Sequence, residues 1–494
     1  MAALAVAALV SRPGRAQEVD AGVPPDAAST CDGCGSQAPP GPPVELAAAP
    51  APAPPPDQAS GVLVPEPAGA SALLWVPRVV LFIPRWLLEI PMAPFRLGTW
   101  AFDRYQLPVR FRQWFFNDAG TFGVYPLFLF ETGFGFNAGL RLVHTDLLGH
   151  GEQIKLSASF GGEVAQRYAI KLASGRLLGD RVNVQVRANV QIVPKGNFFG
   201  IGNGALQPVS YMGPLIDALH DPTAVPTRFG QTYIWESALV DGLVTRYLHA
   251  QVALASLYRT FSTTDVDLGD HEYRLMPTVY DPATLIGFGR GLSSLYAEGA
   301  LIIDTLRAAN PYVSVASPVG WKVTAYGGYT GGFGDDPSSY LRYGLDALRY
   351  FDIYGGDRIL LLRLYLEGVT GPLDRIPFTD LPRLGGPMFL RGYPRDRFRD
   401  RGLWLGTAEY EYPVTQEIGA YLFLDAGRVE HDLGDPSFSN VHYGIGGGIE
   451  LHTATSFILR VQLAGSLDEP GLFVKLTLDP IYTHKPRATE VLSW

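Results

Sequence analysis

The residues most able to do chemistry fall in separate stretches of the chain. Cys31-Asp32-Gly33-Cys34 has the spacing of a redox pair or of half a zinc site, but no second ligand pair follows and no βαβ pattern surrounds it. A local disulfide or two idle thiols is the plainer reading. His442, Glu450 and His452 come nearest to an acid–base or metal cluster, and an ordinary polar wall accounts for them as well. No Gly-x-Ser-x-Gly nucleophile turn is present. Arg391-Gly392-Tyr393, followed by Glu409 and Asp425, is of another kind. A planar guanidinium can hold two carboxylates in forked, charge-assisted hydrogen bonds. That chemistry fastens one part of a chain to another; neither an enzyme, a cofactor nor a metal is expected.

Fastening needs a wall and something brought to it, and Arg181–Ile192 shows what the wall is. Val182, Val184, Val186, Ala188, Val190 and Ile192 point to one face of a strand; Arg181, Asn183, Gln185, Arg187, Asn189 and Gln191 point to the other. A half-buried strand of a soluble sandwich would also alternate, but a run of about twelve residues is roughly twice a usual strand and suits a tilted bilayer crossing.

The bulk properties agree. Charged residues make up 18% of the chain and the mean hydropathy is near zero, as expected when an apolar face is spread over alternate residues of a membrane barrel. The net charge of -9, with no basic domain, argues against a nucleic-acid partner.

Along the chain, residues 1–17 read as a signal peptide, with an apolar run before Gly14-Arg15-Ala16, although no Lys or Arg precedes that run. Residues 18–70 are a Pro/Ala-rich spacer that offers too little apolar surface to order itself. Residues 71–118 are apolar and aromatic but broken by Pro77, Pro84, Pro91 and Pro94, which predicts short helices rather than a spanning one. Trp75, Trp86, Trp100 and Trp114, interleaved with Arg78 and Arg96, suit a segment at a membrane surface or under a barrel mouth. A plain soluble helical cap is the alternative.

From about residue 119 to 480 the period is two. Leu360, Leu362, Leu364 and Leu366 alternate with Arg363, Tyr365 and Glu367; Phe457, Leu459, Val461 and Leu463 alternate with Arg460 and Gln462. About fifteen such blocks run from 123–144 to 471–478, and the first is long enough for two strands, so the fold class expected is all-β: a transmembrane antiparallel barrel of about 16 strands with a short N-terminal helical segment. The connections alternate, short at 411–419 and 452–456, long at 194–228, 259–293 and 369–402. Short turns belong to the periplasmic side and long loops to the outside. Residues 481–494 form a tail.

Strand parity then places the fastening residues. Thr407, Glu409 and Glu411 share a face opposite Trp404, Ala408, Tyr410 and Tyr412, and Tyr421, Phe423 and Asp425 lie opposite Leu422, Leu424 and Ala426. The carboxylates therefore face the lumen, and a loop carrying Arg391 would meet them if it folded inward. The alternative is a solvated outer loop rich in Arg395, Arg397, Arg399 and Arg401.

The segment Gly385-Gly386-Pro387-Met388-Phe389-Leu390-Arg391-Gly392-Tyr393, the Glu409 strand, and Leu422-Phe423-Leu424-Asp425-Ala426-Gly427 together resemble the BamA/TamA family of outer-membrane barrels, the bacterial surface antigen superfamily. Asn197-Phe198-Phe199-Gly200-Ile201-Gly202-Asn203-Gly204 resembles that family's aromatic-Gly-x-Gly-Asn loop, and Asp304-Thr305 through Asn310-Pro311 is a looser match. The resemblance covers roughly 120–478 and implies a folded-in loop held by Arg391, Gly392, Tyr393, Glu409, Asp425 and Gly427, with Gly200, Gly202 and Asn203 as a second loop motif. It departs from the family in that no POTRA-like α/β unit is legible ahead of the barrel. The last strand also lacks the expected terminal aromatic residue.

What the resemblance implies is a monomeric barrel of the bacterial outer membrane, in contact with its lipid, that helps insert or translocate protein or lipid. Unfolded outer-membrane proteins or periplasmic factors would be its partners. A passive pore and a structural anchor of an envelope complex are the other two readings.

Overall fold

The computed structural model describes residues 104–477 except 132–134, 162–164, 176, 179–180, 212, 265–271, 309–317, 354–357, 415–417, 453–456 and 470. The expected signal peptide, the spacer with Cys31 and Cys34, Trp75, Arg78, Trp86, Arg96, Trp100, Asn310-Pro311 and the tail lie outside the described residues.

Sixteen long strands carry the fold. They are β1 (Phe122–Glu131), β2 (Gly135–Thr145), β3 (Gln153–Gly161), β4 (Ala165–Ala173), β5 (Val182–Phe198) and β6 (Thr227–Thr245). Next come β7 (Leu248–Ser262), β8 (Leu292–Asp304), β9 (Pro318–Gly332), β10 (Ser339–Asp352) and β11 (Ile359–Thr370). The series closes with β12 (Gly402–Pro413), β13 (Ile418–Glu430), β14 (His442–His452), β15 (Phe457–Ser466) and β16 (Leu472–Thr477). Each pairs antiparallel with its chain neighbours, the pattern of an up-and-down barrel. The first long block of alternation is the β1/β2 hairpin, interrupted at 132–134.

The alternation is inside out relative to a soluble protein. Leu362 and Leu364 stand 42% and 45% exposed on β11, while the alternating Arg363 and Tyr365 are buried. On β13, Leu422 and Leu424 are exposed between buried Tyr421, Phe423 and Asp425. The oily face is the outer one, where acyl chains cover it, and the polar face is enclosed. Among the described residues no helix is long and apolar enough to cross a membrane.

At one end of the barrel the connections 199–226, 263–291 and 371–401 are long. Together with the ends of β5 and β7 they build a cap with its own apolar core of Phe198, Ile216, Val225, Phe261, Met276, Tyr280 and Phe378. Strict alternation of loop length fails here, because the connections 132–134 and 162–164 lie at this same end and are short. Tight hairpins suffice where no cap is built. At the other end lies α1 (Leu107–Phe115), whose Phe111 packs on inward-facing Tyr125 and Val143, inside the mouth. Trp114 on the same helix is exposed.

The two ends of the sheet also meet. β1 pairs with β2 along its whole length, whereas among the described residues β1 and β16 are paired at one position, Glu131 opposite Lys475.

Candidate functional site

Loop 371–401 leaves β11, enters the lumen and returns to β12, and its tip is shaped by left-handed backbone at Gly385, Gly386, Leu390 and Gly392. At Gly392, with φ of +96°, a Cβ would sit 2.3 Å from the carbonyl oxygen of Gly465 on β15. Only glycine lets the loop lie this close to the wall.

Arg391 is thereby set against β12 and β13. Its backbone N–H donates to Asp425 Oδ2 at 2.9 Å, Nε donates to the same oxygen at 2.8 Å, and Nη2 donates to Oδ1 at 2.8 Å. Nη1 donates to Glu409 Oε2 at 2.7 Å. The guanidinium lies over the Phe423 ring, 3.4 Å from its centroid, and Thr407 Oγ1 donates to Asp425 Oδ1. The three ionic side chains are almost wholly buried. Buried charges persist only when paired and hydrogen-bonded on most of their valences, and here each is.

The network continues along the wall. Arg460 of β15 donates to Glu409 and, at 2.7 Å, to Glu450, and it stacks on Tyr421. Glu450 is thus a member of an ion-pair chain, and His442 bonds Asp468 instead, with Nδ1 2.7 Å from Oδ2. The side chain of His452 is outside the described residues. Tyr393 donates to Asp468 in the β15–β16 connection and to Tyr443 O. Burial works to raise the Asp468 carboxyl, but the hydrogen bonds from Tyr393 and His442 outweigh it and hold it below the ordinary carboxylate range.

Gly427 is not a ligand of Arg391. It lies on β13 opposite Leu405, where a Cβ would come 2.7 Å from Trp404 O, so its role is close strand approach. The Gly200, Gly202, Asn203 motif joins the cap to the lock. Gly202 N–H donates to Arg399 O, and the Asn203 side-chain amide donates to and accepts from the backbone of Val429 at 2.7 and 3.1 Å. Gly200 and Gly202 both have positive φ, and a Cβ on Gly200 would press on Thr223 O.

Of the four loop arginines Arg395 and Arg401 are partly exposed, and the other two are not solvated. Arg397 and Arg399 are buried: Arg397 pairs with Glu469, and Arg399 donates to Phe378 O and Asn197 O. Burial, only partly offset by Asp396, lowers the Arg399 guanidinium to about 10.

Sequence reasoning missed a second anchor at the other side of the lumen. Asp380, near the start of the loop, pairs with Arg259 of β7 and accepts from Tyr340 of β10, while its carbonyl accepts from Arg342. Arg363 is held by Asp346 through both carboxylate oxygens at 2.8 and 3.0 Å and lies beneath Phe389. Inward parity of Arg259 and Tyr340 was available as a signal; their meeting with Asp380 was not. The loop therefore spans the lumen, fastened at β7 and β10 on one side and at β12, β13 and the β15–β16 connection on the other.

Residues 314–471 match the Omp85 superfamily domain, and this span contains the loop, both carboxylates and strands β9 to β15. Among solved structures the chain is similar to BamA from Haemophilus ducreyi lacking POTRA domains 1-3, with a TM-score of 0.51 at 11% identity over 72% of this chain and 70% of that one. CdiB from Escherichia coli gives 0.46 at 12% identity over 72% and 62%, and CdiB from Acinetobacter baumannii 0.44 at 10% over 72% and 59%. At these identities the likeness is one of fold, and the chain spans less than two thirds of either CdiB chain. No curated protein matches the sequence.

Proposed function

We propose that this chain, an outer-membrane β-barrel of the BamA/TamA type within the Omp85 superfamily, helps polypeptide insert into or cross the outer membrane through the junction of its first and last strands. The observation that carries this reading is that, among the described residues, β1 and β16 are paired at Glu131 with Lys475 alone.

Parting any other neighbours breaks a full ladder: β1 and β2 are matched from Phe122 with His144 to Glu131 with Gly135. Each ladder hydrogen bond is worth about 1 kcal/mol net in water, and an unmet backbone group in hydrocarbon costs several. Opening is therefore cheapest at the β1/β16 junction, and that is where an incoming strand would add to the sheet. The locked loop supports this reading over a passive pore, because it crosses the lumen from β7 and β10 to β12 and β13.

The test is a cysteine pair across the junction, Glu131→Cys with Lys475→Cys, in a background with Cys31→Ser and Cys34→Ser. The protein is reconstituted in liposomes with an unfolded outer-membrane barrel as substrate. Insertion should be lost when the pair is oxidised and return on reduction. Equal insertion in both states, or none by the uncrosslinked protein, would overturn the proposal.

A further inference from the structure

Arg349 is a cation that the outer wall of the barrel leaves unmatched. Strand register places it on β10 opposite Trp321 of β9 and Leu362 of β11, on the side that faces acyl chains. Its guanidinium lies 5.1 Å from the centroid of the Trp321 ring and 4.9 Å from that of Phe351. Both rings are exposed, and Arg349 itself is half-buried. Among the described residues it makes no hydrogen bond and no ion pair, so the two rings are all that hold it. Other arginines behave differently. In the lumen Arg259, Arg342, Arg363, Arg391 and Arg460 each meet a carboxylate, and on the outer face Arg428 meets Glu430. Among the described residues the outward positions of β9–β12 hold no Asp or Glu that could do the same for Arg349.

Depth narrows what can meet it. Arg349 lies near the end of β10, at the mouth opposite the long connections. Toward the middle of the strands the outward residues are Val323, Ala325, Leu345, Ala347, Leu362 and Leu364, a surface for acyl chains. At the arginine's own level Tyr410 and Tyr412 join Trp321 and Phe351 in an aromatic band, the mark of the boundary between hydrocarbon and headgroups. Just before β11, Arg358 stacks on Tyr412, 4.8 Å from its centroid, and donates to Tyr410, so a second positive charge sits on this face. A guanidinium carries five N–H donors in one plane, and a ring against it leaves the edge of that plane open. Donors left unmet at the edge of hydrocarbon are costly. The anion that abounds at this depth is the lipid phosphate, whose unbridged oxygens fit the fork.

We propose that Arg349, set against Trp321 and Phe351 with Arg358 on the same face, binds the phosphate of a phospholipid in the periplasmic leaflet. The rings orient the guanidinium, and the lipid tails lie along the apolar surface of β9–β11. A phosphate can come as a lipid headgroup or as a soluble ester, and the acyl-facing surface beside the arginine selects the lipid. The site stands away from the β1/β16 junction, so its failure would leave the proposed function standing.

The test is native mass spectrometry of the full-length protein in detergent, titrated with palmitoyl-oleoyl phosphatidylglycerol. One lipid should bind ahead of the rest. Palmitoyl-oleoyl glycerol, with the same tails and no phosphate, should bind about tenfold more weakly, and Arg349→Gln should weaken the first phosphatidylglycerol about fivefold. Arg349→Lys, which keeps the charge but not the fork, should fall between. Arg428→Gln removes an outer-face arginine already matched to Glu430 and should change nothing. Heat-modifiable migration checks that each variant is folded. An excess of sodium glycerophosphate should not displace the lipid; displacement would assign the site to a soluble phosphate and overturn the lipid. Equal binding of the two lipids by the native protein, or of phosphatidylglycerol by the native and the folded Arg349→Gln proteins, would overturn the site.

Discussion

Arg391 and Asp425 are joined through both the main chain and the side chain of the arginine: the backbone N–H and two guanidinium nitrogens all donate to the one carboxylate. Asp425 therefore fixes the path of the loop as well as the orientation of its charged tip. Glu409 adds a second, weaker hold from the neighbouring strand and shares itself with Arg460. A wall carboxylate on β13 thus decides where an outer loop lies.

Arg391→Ala should leave Asp425 buried with Thr407 as its remaining hydroxyl donor, at a cost of about 3–5 kcal/mol, the usual result of removing one partner of a buried pair. The barrel should still insert. Its heat-modifiable transition should fall in temperature and protease should cut within 371–401. Arg391→Lys should recover only part of the loss, because an ammonium cannot form the fork. Native-like migration and cleavage of the alanine variant would remove the lock from the account.

Gly392→Ala should displace the tip from β15 without touching any ionic group. The added Cβ would collide with Gly465 O and the residue would remain at φ of +96°; positive φ alone costs a non-glycine residue about 1 kcal/mol or more. Hydrogen exchange should rise at 388–393. An exchange pattern equal to the native one would mean that the loop has room to spare there.

Asp380→Asn should loosen the opposite anchor alone. Arg259 would be left buried facing a neutral amide, and exchange should rise at 373–381 while 388–393 stays protected. Simultaneous loosening of both stretches would show that the loop is one cooperative unit rather than a strap with two independent fastenings.

Acid should free the Tyr393 end before it dissolves the barrel. The Asp468 carboxyl is depressed below its ordinary 3.8 in the folded state, so its contribution is fully present above that value and is lost as the pH falls through the lower, folded one. Proteolysis at 391–398 should therefore be flat from neutral pH down to about 4 and rise below it. Asp468→Asn should abolish that dependence. A rise already complete at pH 6 would assign the titration to another group.

Much of this was legible because a barrel wall obeys one rule residue by residue. Glu409, Asp425, Arg460 and Gln462 were assigned to the lumen by parity and are buried there. The rule fails where the strands leave the membrane. The block 181–192 continues as β5 to Phe198, past a bulge between Val193 and Gly196, and the block 229–240 extends to Thr227–Thr245. There the outer face meets the protein cap rather than lipid, so polar and apolar residues no longer mark the two sides. Asp380 was unreadable for the same reason: a loop residue has no parity, and its partners Arg259 and Tyr340 lie far away in the chain.

The sequence by itself determined the two faces of the blocks whose residues alternate cleanly, a strand count of about 16, and the pairing of one loop arginine with two wall carboxylates, because each follows from local period or from charge on a known face. Only the tertiary structure decided that the loop crosses the lumen from β7 and β10 to β12 and β13, and that the described residues of β1 and β16 meet at one pair. These depend on the register between strands and on how the sheet comes round upon itself, and neither is encoded in the period of any single strand.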